Sequence, residues 1–128
     1  MMANLLLVGV GGALGSIARH GIGMAIARLS PARVVPYATM TVNLTGCLVI
    51  GALAGLIASQ RLTMTPELRA FVFVGVLGGF TTFSSFGLDT FTLAQGGRAG
   101  TAAANVAIQV VAGCALVAAG YAAGARVQ

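Results

Sequence analysis

Apolar residues run through this chain in four long blocks joined by short polar stretches. The blocks cover residues 4–27, 36–59, 70–93 and 101–124. Each can cross a bilayer as a helix, which takes about 20 apolar residues. The pattern predicts an all-α membrane protein: four transmembrane helices in a single domain over residues 1–128. The joints leave no room for a soluble domain. The first block lacks a basic start, and its apolar run continues to Arg19, past the usual length of a secretory core. It is read as a retained span.

The third block carries an interruption. Gly78-Gly79-Phe80-Thr81-Thr82-Phe83-Ser84-Ser85-Phe86-Gly87 sets two adjacent glycines and four hydroxyl side chains at its centre. Lipid cannot hydrogen-bond the backbone groups that a loosened helix frees, so such a break persists only where protein, water or an ion satisfies them. The sequence therefore predicts a third helix broken at its centre, and an ion site or pathway there.

Composition agrees. Hydrophobic residues make up 58% and charged residues 7%, and the mean hydropathy is +0.98. Soluble domains carry about 25% charged residues. All 7 basic side chains are arginine and the formal charge is +5. They are scattered, with no basic stripe and no stacking platform, so the charge does not point to nucleic acid. Cys47 and Cys114 sit inside spans at no disulfide or metal spacing and read as packed free thiols. One histidine and two carboxylates offer no nucleophile–base constellation, so the chain does not read as an enzyme.

The arginines bear on orientation. Four crossings put Arg61, Arg69 and Arg126 on one side and Arg28, Arg33 and Arg98 on the other, with Arg19 inside the first span. Basic asymmetry is what fixes topology, and here there is little. A chain without bias can insert both ways, and two opposed copies can pair as an antiparallel homodimer. The plainer alternative is one weakly biased orientation. Gly11/Gly15, Gly51/Gly55, Gly75/Gly79 and Gly120/Gly124 form small-xxx-small pairs, which let helix backbones approach closely. Spacing alone does not decide which pairs meet.

Polar groups at membrane depth fall on defined faces. Thr39, Asn43 and Gly46 share one face of the second span, and Asn105, Gln109 and Gly113 one face of the fourth. The plain reading is interhelical glue, at about 0.6–2 kcal/mol per bond. Arg19 follows Gly11 and Gly15 on one face, and its plain reading is snorkelling to the interface.

GxxxGxxxR at Gly11, Gly15 and Arg19, then Val42-Asn43-x-x-Gly46, then Gly-Gly-Phe-Thr-Thr-Phe-Ser-Ser-Phe, in that order on four spans, resemble the Fluc (CrcB) fluoride channels over nearly the whole chain. The resemblance implies an antiparallel dual-topology homodimer in the inner or plasma membrane. It implies two pores for passive fluoride efflux, which gives fluoride resistance, and a central structural sodium ion. It implies that Phe83 and Phe86 line the pore edge-on, that Asn43 donates from its amide, that Ser84 and Ser85 add hydroxyls, and that carbonyls of Gly78 and Thr81 hold the sodium. Arg19 would stand at a pore entrance or act structurally, and Phe80 would be packing. Where the family carries a tyrosine and serines on span four, this chain has Asn105, Gln109 and Gly113.

The chemistry is consistent with that. Fluoride is small and strongly hydrated, so a pore must replace its water with directed donors, and an aromatic ring has a positive edge. Phe83 and Phe86 are three apart and point to similar sides of a regular helix, and the break is expected to splay them. His20 receives no role, and Asp89 reads as an interfacial or helix-pairing carboxylate. The rival is a small multidrug exporter, also a four-span dual-topology dimer. It needs a membrane carboxylate, which the first span lacks, and the chain has no tryptophan for a drug cage.

Overall fold

The computed structural model describes residues 2–30 and 35–126. Four long apolar helices, Met2–Leu29, Tyr37–Ala58, Pro66–Gln95 and Ala99–Arg126, account for almost all of them. Among the described residues there is no strand. The protein is thus an all-α, multi-pass membrane protein, with each span within a few residues of its apolar block. The largest difference is at the start of the third span. Thr65 caps it by accepting from Leu68 N–H at 3.2 Å, Pro66 opens the first turn and Glu67 follows. Proline and an acidic residue both suit a helix start, so the helix begins before its apolar run does.

The glycine pairs settle which helices meet. A Cβ on Gly11 would lie 2.7 Å from Phe71 O, and one on Gly15 would strike Val76 O and Phe80 N. Gly75 and Gly79 meet Gly11 and Gly12 in return. The first span therefore packs on the third, backbone against backbone. The second packs on the fourth in the same way: Gly51 and Gly55 face Val117 O and Tyr121 O, while Gly120 and Gly124 face Leu48 O and Ala52 O. All four pairs named from spacing are used. Any side chain there would force the backbones apart, and close packing is one of the forces that hold helices together in lipid.

Two spans are not uniform α-helix. The third widens to a π-helix over Ala70–Leu77 before a last α-turn at Gly78–Phe80, and the fourth does so over Ile108–Ala112. Local π-turns shift the facing of the residues after them and often accompany functional sites. The third span then breaks. Thr81 (φ −85°, ψ 160°) and Thr82 (φ −154°, ψ 111°) are extended, and the helix resumes at Phe83–Gln95.

Arginines mark the ends. Arg28 is in the last turn of the first span, Arg98 precedes the fourth and Arg126 closes it. Arg33 lies outside the described residues. Many large apolar side chains face outward, Leu6, Ile17, Val74 and Val111 among them, which suits a lipid surround.

Candidate functional site

The site grows from the broken ends. A helix leaves its last four carbonyls and the next helix its first N–H groups without intrahelical partners. In an unbroken helix Gly78 O would accept from Thr82 N–H. Here Thr82 N–H donates to Asn43 Oδ1 at 2.9 Å. Thr81 O would accept from Ser85 N–H, but that group donates to Thr82 Oγ1 at 3.2 Å, capping the second half-helix. The carbonyls of Gly78 and Thr81 have therefore lost their helical donors. Gly79 O is reached by Ser16 Oγ–H at 3.4 Å.

Asn43 holds the break. Besides accepting from Thr82 N–H, it donates from Nδ2 to Thr82 O at 3.1 Å and to Gln109 Oε1 at 2.7 Å. Three residues on, Gly46 makes room for Thr81: a Cβ there would strike Thr81 Cγ2. The two fixed positions of Asn43-x-x-Gly46 thus serve the two residues of the break, one bonding Thr82 and one seating Thr81. Gln109 Nε2 in turn donates to Asn105 Oδ1 at 2.9 Å, and Asn105 Nδ2 to Thr90 Oγ1 at 2.9 Å. Thr90 was not visible from sequence. Sequence alone offers only a threonine one turn after Phe86; that its hydroxyl bonds back to Phe86 O at 2.8 Å is visible in the structure alone.

Two cavities share Thr82. One, about 370 Å³, is an open groove that brings Asn43, Gly78, Thr81, Phe83, Phe86 and Gln109 together. The Phe83 and Phe86 rings lie 5.4 Å apart between centroids and are tilted by 50°. Both follow the break on one helix, so it does not splay them. Phe86 is 9% exposed and Phe83 82%; the groove is closed on one side only. The second cavity, also about 370 Å³, contains Ser16, Arg19, His20, Thr39 and Ser85. Arg19 is half-buried against these polar groups close to the break. Ser84 is exposed, its hydroxyl 3.3 Å from Thr82 Oγ1. Asn105 is 1% exposed and stands behind Gln109. Asp89 lies in a third cavity with Arg98 and Tyr37, and its buried Oδ2 has no hydrogen-bond partner among the described residues.

Amide side chains thus converge with aromatic rings at a break in the third apolar span. Residues 6–121 match the family model described as CrcB-like protein, Camphor Resistance (CrcB). The chain belongs to the CrcB family. Similar CrcB relatives include the fluoride-specific ion channel FluC of Methylobacillus flagellatus, 45% identical over 94% of this chain and 93% of the relative. The protein of the same name from Rhodospirillum centenum is 51% identical over 83% and 82%. That of Paracoccus denitrificans is 44% identical over 97% and 96%. As a CrcB chain it is covered almost end to end, broken span included.

Proposed function

We propose that this chain is a fluoride-selective channel that lets fluoride leave the cell passively and so protects it. The observation that carries this is the groove at the break. There the Phe83 and Phe86 rings and the Gln109 amide surround a path held open by Asn43, in a chain whose relatives carry the name fluoride-specific ion channel. An anion entering the bilayer interior must exchange its water for protein donors. Ring edges of Phe83 and Phe86 offer positive character without fixed charge. Gln109, which lines the groove, keeps an N–H beyond those bonded in the site, with Asn105 buried behind it, and Ser84 and Ser85 carry hydroxyls beside the break. Both Asn43 N–H groups are bonded to protein acceptors, Thr82 O and Gln109 Oε1. Arg19 supplies positive charge to the cavity next to the break and draws anions in. Neutral donors inside and one cation outside give binding weak enough for release.

The working unit of this reading is an antiparallel homodimer in the inner or plasma membrane, with two pores. The near-even arginine distribution and the exposed Phe83 beside an open groove support it, since a second copy supplies the missing wall. A structural sodium ion fits the break. Among the described residues no three His, Cys, Asp or Glu side chains cluster, and the carbonyls of Gly78 and Thr81, freed of helical donors, are hard oxygens of the type alkali and alkaline-earth ions accept. Two from each copy would give four. Bound there, the ion satisfies carbonyl ends that lipid cannot. Exchanging sodium for N-methylglucamine should lower the melting temperature of the purified protein; an unchanged melting temperature removes the ion from this reading.

The test of function is direct. Liposomes loaded with potassium fluoride should release fluoride when valinomycin is added, and potassium chloride liposomes should retain chloride. Equal chloride release, or no fluoride release from folded protein, rules the proposal out. The multidrug-exporter reading is not favoured: the family and the relatives' names point elsewhere, and the first span has no carboxylate.

A further inference from the structure

Thr90 lies one turn beyond Phe86 and belongs to none of the motifs. Its hydroxyl hydrogen goes to Phe86 O at 2.8 Å, so its oxygen can only accept, and Asn105 Nδ2 donates to it at 2.9 Å. At the other end, Thr82 N–H can only donate and Thr82 O only accept, which fixes which end of the Asn43 amide faces which group. The relay Thr82–Asn43–Gln109–Asn105–Thr90–Phe86 is therefore tied to main chain at both ends.

That fixes the sense of every bond between. Asn43 Oδ1 accepts from Thr82, Gln109 Oε1 from Asn43, and Asn105 Oδ1 from Gln109. Each amide oxygen is engaged inside the relay. The nitrogens of Gln109 and Asn105 each carry one hydrogen more than the relay uses.

We propose that Thr90 is a positioning residue for the anion path: it locks the far end of this relay so that Gln109 keeps an N–H, not a carbonyl oxygen, available to the groove it lines. The proposal rests on the fluoride reading above. The torsion that turns a terminal amide is broad and roughly two-fold, so an amide held from one side can turn over. Without the Thr90 oxygen, Asn105 Nδ2 is buried with no acceptor. Turning Asn105 over points that nitrogen at Gln109 and turns Gln109 as well, setting Gln109 Nε2 against Asn43 Nδ2, two donors with nothing between them. The first arrangement leaves a donor buried without an acceptor, and the second turns Gln109 Nε2 from Asn105 toward Asn43.

Thr90→Val keeps the shape and removes the hydroxyl, and Thr90→Ser restores it. In liposomes where the parent releases fluoride, dimeric Thr90→Val should slow release roughly tenfold, equivalent to about 1.4 kcal/mol on the barrier, and Thr90→Ser should recover most of it. A second readout does not depend on transport. In protein labelled with 15N-glutamine, the Gln109 side-chain signals, identified by their loss in Gln109→Leu, should move in Thr90→Val but not in Thr90→Ser. Sodium fluoride should move the same signals in the parent. If the parent carries no fluoride, the channel reading fails and the spectra of Thr90→Val still judge the relay. Parent-like release by Thr90→Val, equal impairment by Val and Ser, or Gln109 signals unmoved in Thr90→Val would each overturn the proposal. Should Thr90→Val yield no folded protein, Gln109 signals in the parent that ignore sodium fluoride overturn it as well.

Discussion

The carboxamide of Asn43 pairs with the backbone of Thr82 much as a neighbouring β-strand would, accepting from its N–H at 2.9 Å and donating to its C=O at 3.1 Å. One side chain thereby satisfies both main-chain groups of an extended residue within a membrane span.

Asn43→Ala removes that pairing and leaves both Thr82 groups unmatched. Each unsatisfied buried group costs about 1–3 kcal/mol, so the melting temperature of the purified protein should fall. Asn43→Asp keeps the acceptor but loses both donations and sets a negative charge beside the path. Like charges repel strongly at low dielectric, so fluoride release should be abolished in protein that still elutes as the parent does. Parent-like release would show that Asn43 is far from the anion.

Gly46 and Thr81 should behave as a coupled pair. Gly46→Ala drives a methyl into Thr81 Cγ2, and overpacking of this type costs about 1–3 kcal/mol. Thr81→Ser removes that methyl. The double substitution should therefore melt closer to the parent than Gly46→Ala does. If the two effects simply add, the close approach is not what constrains position 46.

Phe83→Ile and Phe86→Ile keep apolar bulk and remove the ring edge. If the edges meet the anion, release from each variant should drop at least roughly tenfold, as about 1.4 kcal/mol on a barrier implies. Phe86 is buried and Phe83 exposed, so loss of stability should be larger for Phe86→Ile. Variants that stay assembled and release fluoride normally would make both rings packing.

Orientation can be read chemically. Single cysteines near Arg126, in a background lacking Cys47 and Cys114, should label from both sides of the membrane in one culture. Labelling from one side alone defeats the antiparallel arrangement. Two lysines added at the C-terminus should bias the insertion.

The spans, the break and the family resemblance are properties of the sequence itself. Twenty-odd apolar residues in lipid have essentially one solution, a helix, because every backbone group must be bonded within the segment. Thr81 and Thr82 after two glycines mark where that solution fails. The length and hydropathy of each block thus fix the four helices without reference to partners.

Which helices meet, and what closes the break, the tertiary structure alone decided. Four glycine pairs at one spacing are interchangeable in sequence; only the packing assigns Gly11/Gly15 to the third span and Gly51/Gly55 to the fourth. Asn43, Gln109 and Asn105 could each have been isolated glue. Bonding is directional, so their common role appears only when Thr82 lies within 3.1 Å of Asn43 and Thr90 within 2.9 Å of Asn105. Periodicity places a residue on a face, but the groups it must satisfy come from other helices, and their positions depend on how the backbones pack.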